Sequence, residues 1–301
     1  MTDFPSVLAK RANAFAKAIP GVKRGDVKAI HRARVATRRL REALPVVSSL
    51  TEGAARLQRD LRRVTRTLGP VRELDVARAV LAEGAADEAW PPAVVTAVDA
   101  CCERRRDEAF RDATDVLNTL DGRSVRRRVA SVAGRLDGSS AVGPTLIKQV
   151  RDRARAVELA IAHAGTLYSA PALHELRIAA KKLRYALELT EDADPIVMRR
   201  LKALQSWLGR IHDAQMLQHR VQELAASSRD RRLVADLGAL EQSLERRCRE
   251  WHGRVLKMLP RVAEALRAVM RDLSRTVSPR HVGRQVRMRD TAHARQRARI
   301  A

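Results

Sequence analysis

Apolar residues recur through most of this chain at intervals of three and four positions, the spacing that lines one side of an α-helix. Prolines and glycines divide this pattern into predicted helices of moderate length. The first half contains predicted helices at about 5–19, 26–50, 53–68, 71–82, 92–120 and 121–136. The second half contains predicted helices at about 145–168, 172–190, 195–208, 211–226, 229–259 and 260–273. We therefore predict an all-α protein.

The segment DGSSAVGP, residues 137–144, is the clearest linker in the chain. It separates a first half at about 5–136 from a second half at about 145–275, and both halves repeat the same order of helices. The economical architecture is two pseudo-twofold-related helical bundles that form one compact unit. Residues 276–301 are rich in arginine and lack a sustained apolar period, so we predict a basic, disordered tail.

One eleven-residue motif occurs once in each half. It reads HRARVATRRLR from His31 to Arg41 and HELRIAAKKLR from His174 to Arg184, an offset of 143 residues. Five of the eleven positions are identical and three more are conservative. A recurrence at fixed spacing in a chain of about twice that length indicates an internal duplication.

On a helix, the basic residues of each motif share one face and the apolar residues share the opposite face. Like charges three and four positions apart destabilise a helix by about 0.2–0.5 kcal/mol per pair, so such faces call for an anion. With no acidic residue interleaved, we favour an anion site over a solvated charged face. The two basic faces consist of His31, Arg34, Arg38 and Arg41 in the first copy and His174, Arg177, Lys181 and Arg184 in the second.

A second pair of motifs supports the duplication. LRRVTRTLGPVRELD at 61–75 matches LKALQSWLGRIHDAQ at 201–215, so that Arg62 corresponds to Lys202 and Arg72 to His212. Each motif is predicted to break at its Leu-Gly pair and to start a new helix there, where free backbone N–H groups attract anions. Two interpretations stay open: these cations contribute to an anion site, or they pair locally with Asp75 and Asp213.

The net charge of +24 and the pI near 11.4 indicate a polyanionic partner, which could be nucleic acid, an anionic membrane surface or an inorganic polyanion. Aromatic residues make up only 3% of the chain, which counts against base-stacking platforms for single-stranded nucleic acid. The three cysteines form no CxxC pair and favour a reducing cytoplasm. We expect no signal peptide and no membrane-spanning helix.

Taken together, the motifs make this chain resemble the CHAD domain, the conserved histidine α-helical domain. The resemblance extends over about residues 5–275 and rests on HRARVATRRLR, LHELRIAAKKLRYALE, LGPVRELD and LGRIHDA in this order and spacing. It implies a helical fold with a basic central groove or pore. It also implies binding of inorganic polyphosphate and association with polyphosphate granules, and we expect neither a catalytic step nor a cofactor.

The residues that would bind polyphosphate follow from their positions in the motifs. The first group is His31, Arg34, Arg38, Arg39, Arg41, His174, Arg177, Lys181, Lys182 and Arg184, and the second is Arg62, Arg72, Lys202 and His212. Many relatives carry an N-terminal catalytic domain with an ExExK signature, which is absent from this sequence. Because His212 stands where the first half has Arg72, the two halves need not bind equally.

Two alternatives compete with this interpretation. A nucleic-acid-binding protein agrees with the charge, and weak binding through the tail is expected, but no finger, basic zipper or aromatic RNA-binding motif occurs. A metal-dependent phosphohydrolase could use His174, His212 and Asp213. However, no HExxH motif is present, and the surrounding basic faces would repel a divalent cation.

Overall fold

The computed structural model describes residues 3–48, 51–88, 90–136, 141–190 and 193–276. This part of the chain is almost entirely helical and contains no strand, which confirms the predicted all-α fold. The helices are α1 (Phe4–Lys23), α2 (Val27–Val47), α3 (Glu52–Glu88), α4 (Pro92–Asn118), α5 (Gly122–Gly134), α6 (Val142–Ala164), α7 (Ala170–Leu187), α8 (Pro195–Ser227) and α9 (Arg231–Thr276).

Local sequence accounts for the start of the first motif helix. The Asp26 side chain caps α2 by accepting a hydrogen bond from the backbone N–H of Ala29, as predicted. Gly25, immediately before it, has φ +75°, a left-handed conformation that favours glycine. The chain reverses at this point, so α1 and α2 run antiparallel.

Several predicted helix boundaries are wrong because helices continue through proline and glycine. α1 passes through Pro20 to Lys23, and α3 passes through Gly69 and Pro70 as one helix. In the second half, α8 and α9 each merge two predicted helices into one. Pro20 and Pro70 are both exposed, and each removes one intrahelical hydrogen bond without ending its helix. Buried residues on both sides of each site hold the helix together.

The linker prediction is partly wrong. Residues 142–144 form the first turn of α6, while residues 137–140 lie outside the described part of the chain. The first motif helix was predicted to reach residue 50 but ends at Val47. The predicted tail beyond Thr276 also lies outside the described residues.

The two halves meet along the helices that carry the motifs. Within the first half, α1 packs against α2 and α5, α2 against α3, and α3 against α4. Within the second, α6 packs against α7, α7 against α8, and α8 against α9. Across the junction, α3 packs against α8 and α2 packs against α6 and α7, and buried residues of both halves form one continuous core. This arrangement places both copies of the basic motif at the junction.

Residues at matched positions of the motifs make matched contacts. The Thr65 hydroxyl lies 3.2 Å from the Thr37 hydroxyl between α3 and α2. At the corresponding positions between α8 and α7, the Gln205 side chain donates to the Ala180 carbonyl at 2.8 Å. The α2–α3 and α7–α8 pairs therefore share the register that the sequence motifs imply. The pseudo-twofold relation of the complete halves stays a prediction.

Candidate functional site

A cavity of about 390 Å³ lies at the junction of the two halves, among α2, α3, α6 and α7. Its lining includes cations that the sequence assigned to a polyphosphate site, and these come from both halves. They are Arg38 and Arg41 from α2, Arg62 from α3, and Lys181 and Lys182 from α7. The structure thus brings together five of the predicted residues around one space.

The negative charge of Glu42, the carboxylate that lines this cavity, is already compensated by side chains of α6. Glu42 is 6% exposed and accepts hydrogen bonds from Arg153 Nε at 2.5 Å and Gln149 Nε2 at 2.9 Å. None of the five cations forms an ion pair with a described residue. In addition, the Nε atom of Arg41 is buried without a hydrogen-bond partner. A buried donor without a partner costs about 1–3 kcal/mol, so an anion here would relieve a real penalty.

Lys181 is the most strongly perturbed cation of the cavity. Burial, together with the charges of Arg177, Arg38 and Arg184, lowers its pKa to about 7, while Asp213 opposes the shift. The contribution of Arg38 comes from the other half of the chain, which shows that the two basic faces lie close together. At neutral pH the unliganded site therefore holds Lys181 near the midpoint of its titration.

At the other end of the second motif, four residues form a compact cluster on α7 and α8. The rings of His174 and His212 lie 5.0 Å apart, and Arg177 Nη2 lies 3.7 Å from Asp213 Oδ1. Burial lowers the pKa of His212 to about 3, helped by Arg177, His174 and Lys181. His212 is therefore neutral at pH 7, and burial also raises the pKa of Asp213 despite the nearby cations.

The first half places its counterparts in a similar arrangement. Burial and then the charge of Arg72 lower the pKa of His31, and burial and then the charge of Arg177 lower the pKa of His174. Arg34 is 8% exposed, and its Nη1 donates to the Thr65 carbonyl at 2.7 Å. Burial and Arg38 lower the Arg34 pKa to about 10, with Glu73 opposing. The suggested local pair of Arg72 with Asp75 does not form, because Asp75 pairs with Arg106 at 2.6 Å.

Glu188 is the site residue that sequence reasoning missed. Its carboxylate accepts two hydrogen bonds from Arg39, lies 3.2 Å from Arg184 Nη1, and lies 4.0 Å from Arg11 Nη2. Arg39 and Arg184, two of the residues predicted to bind polyphosphate, are therefore already paired with a carboxylate of the protein. The available signal was the spacing of four from Arg184, which places Glu188 one turn further along the same face.

Lys202 lies apart from this arrangement. It is exposed on α8 and is not among the residues that surround the cavity, although its counterpart Arg62 is. In the second half, Arg177 and Arg184 have carboxylate partners and His212 is neutral. Among the described residues, the uncompensated charge of the site therefore comes mainly from α2 and α3.

A model of the CHAD domain family matches residues 6–222 of this sequence. The chain belongs to the CHAD domain family. The expected resemblance is thus confirmed, and the motif residues described above lie within the matched region. No curated protein matches the sequence.

The solved structures that resemble this CHAD protein include the following two. PptA from Streptomyces chartreusis has a TM-score of 0.63 and 18% identity, over 85% of this chain and 98% of that protein. The CHAD domain from the plant Ricinus communis has a TM-score of 0.59 and 21% identity, over 90% of each chain. At such low identity, these likenesses concern the fold.

Two features of the structure bear on the alternative functions. Within the described ranges, no group of three or more histidine, cysteine, aspartate or glutamate side chains is arranged to hold a metal ion. In the same ranges, no helix combines the length and the apolar character needed to cross a membrane. Around His174 and His212, the cations Arg177, Lys181 and Arg38 outnumber the single carboxylate of the cluster, Asp213, and would repel a divalent cation.

Proposed function

We propose that this CHAD protein binds inorganic polyphosphate in the cavity between its halves, without a catalytic step. The carrying observation is that the cavity is lined by Arg38, Arg41, Arg62, Lys181 and Lys182, none of which forms an ion pair with a described residue. Polyphosphate binding is a known property of CHAD domains, which supports the choice of anion.

The chemistry of polyphosphate suits this lining. It is an unbranched polyanion whose oxygens accept hydrogen bonds, and it has no base edges to be read and no rings to be stacked. Guanidinium and ammonium groups bind such oxygens through charge-assisted hydrogen bonds, which are about twice as strong as neutral ones. Release of condensed counterions adds a salt-dependent contribution, as it does for other linear polyanions.

The test replaces one matched cation on each basic face. Arg38→Ala combined with Lys181→Ala should weaken polyphosphate binding more than a hundredfold, since each lost contact to a charged group costs about 1.5–3 kcal/mol. Arg111→Ala with Lys257→Ala is the control, because it removes the same charge from exposed positions on α4 and α9. Both double variants are measured by titration calorimetry at physiological salt and by thermal unfolding.

The outcomes separate binding from structure. Equal loss of affinity in the two double variants would show that net charge alone attracts polyphosphate, and the proposal would fail. An Arg38/Lys181 variant that unfolds early but keeps full affinity per folded molecule would give these residues a structural role only, and the proposal would fail. Competition with short DNA at the same salt distinguishes polyphosphate preference from general polyanion binding. In cells, we propose location at cytoplasmic polyphosphate granules, which imaging of a fluorescent fusion would test.

A further inference from the structure

A larger cavity, of about 850 Å³, opens between α1 and α2. Its volume falls in the range of small-molecule sites, about 300–1,000 Å³. The floor is apolar, and small side chains create the cleft because they leave the two helices without bulky groups between them. The apolar lining consists of Val7, Ala14, Ala18, Val35 and Ala36.

The charges around this groove are unequal at its two ends. Because α1 and α2 run antiparallel, Lys10 lies at the Arg39 end and Lys17 at the Arg32 end. At the first end, the Glu188 carboxylate compensates Arg39. At the second end, the nearest carboxylate to Arg32 is that of Asp26, 4.0 Å away, and both side chains are well exposed.

Glu188 is the sole carboxylate among the residues that line the groove, and it is engaged by arginines at one end. The other end presents Lys17, Arg32 and His31 without a carboxylate in the lining. Such a groove offers one place for an anionic group, next to a strip of apolar surface that offers no hydrogen bonds. That combination does not suit polyphosphate, whose every unit is charged.

We propose that the α1–α2 groove binds a free anionic amphiphile, with its acidic head group between Lys17 and Arg32 and its apolar body along Ala14 and Val35 toward Val7. Each methylene that the groove removes from water should raise the affinity about fourfold. The head group is placed at the Lys17 end, because the carboxylate of Glu188 in the lining would repel it at the opposite end. This site is separate from the cavity between the halves and does not depend on polyphosphate binding.

The experiment uses the full chain and three probes in titration calorimetry: dodecyl phosphate below its micelle concentration, inorganic phosphate, and dodecyltrimethylammonium. We expect dodecyl phosphate to bind at least tenfold more tightly than either of the others. Ala14→Trp should reduce its affinity at least tenfold, because the exposed Ala14 position lets the indole fill the groove without entering the core. Lys17→Glu should reduce it similarly, and Lys28→Glu, an exposed α2 position outside the groove, should leave it unchanged.

Several results would overturn this site. If inorganic phosphate bound as tightly as dodecyl phosphate, charge alone would account for binding. If dodecyltrimethylammonium bound as tightly as dodecyl phosphate, apolar contact alone would account for it. If polyphosphate displaced dodecyl phosphate completely from both the wild-type and the Lys17→Glu protein, the probe would be bound in the cavity between the halves. Binding to phosphatidylglycerol vesicles that Ala14→Trp leaves intact would indicate a membrane surface instead. Circular dichroism checks that Ala14→Trp folds, and Lys17→Glu tests the groove independently.

Discussion

Arg39 of α2 donates two hydrogen bonds to Glu188, at 2.8 Å from Nε and 3.1 Å from Nη2, and so joins two residues 149 positions apart. The neighbouring Arg38 lines the cavity between the halves and forms no ion pair with a described residue. Adjacent residues of one motif therefore have different surroundings. One arginine is engaged in holding the halves together, and the other is available to an anion.

The first prediction compares these two neighbours. Arg39→Gln should lower the free energy of unfolding by about 1 kcal/mol, because Glu188 loses its two hydrogen bonds from Arg39 and keeps only Arg184 and Arg11 as partners. Arg38→Gln should leave stability unchanged or slightly higher, because it removes repulsion from Arg34 and Lys181. Polyphosphate affinity should respond in the opposite order, falling mainly in Arg38→Gln. Denaturant unfolding and binding measured on the same samples would reveal a reversed order, which would contradict this division of roles.

The second prediction concerns pH and Lys181. Burial lowers the pKa of this ammonium group to about 7 in the unliganded protein, and a bound anion would raise it. Polyphosphate binding should therefore take up a proton, and affinity should fall by about tenfold between pH 7 and pH 8.5 if the bound pKa is about two units higher. Titration calorimetry in buffers of different ionisation heat measures the uptake.

Lys181→Arg is the matched control for this effect. Arginine stays charged across the range, so the pH dependence and the proton uptake should largely disappear, whereas titration of the terminal phosphates is common to both proteins. The stability of the unliganded protein should depend on pH in the opposite direction to the affinity for polyphosphate. The unfolded chain keeps the ordinary lysine pKa and binds more protons, so the Lys181 contribution to stability rises between about pH 7 and pH 10. A wild-type affinity that stays constant with pH would show that Lys181 is charged in both states.

The third prediction compares the matched positions Arg72 and His212. At pH 7.5, Arg72→Gln should weaken polyphosphate binding and reduce the slope of log affinity against log salt by about one unit. His212→Gln should leave the slope unchanged, because burial and Arg177 hold the His212 pKa near 3 and the ring carries no charge. Equal changes in slope for both variants would mean that the ligand protonates His212 and that the halves contribute alike.

The fourth prediction tests the continuity of the long helices. Gly209 lies inside α8, and a Cβ atom there would meet no atom within 4 Å. Gly209→Ala should raise the free energy of unfolding by about 0.5–1 kcal/mol, because alanine restricts the unfolded chain and favours helix. Gly84→Ala is the contrasting control in α3: its Cβ would overlap the Trp90 ring, so it should be destabilising. A loss of stability in Gly209→Ala would favour the helix break that the sequence pattern predicted.

The sequence alone determined the helical class, the duplicated motifs and their basic faces. These features are local or periodic, so the spacing of residues along the chain is enough to reveal them. The same spacing also paired His31 with His174 and Arg34 with Arg177 as equivalent members of the two motif copies. It predicted that the cations of both halves belong to one site, and the structure places five of them around one cavity.

Only the tertiary structure decided which of those cations are free. Arg39 and Arg184 have Glu188 as a partner, and the arginine nearest Asp75 turned out to be Arg106. These pairings join helices that are distant in sequence, so no local pattern specifies them. Tertiary packing likewise carried α3 through Gly69 and Pro70, where local propensity favoured a break. The protonation of Lys181 depends on burial by both halves, which exists only once the chain has folded.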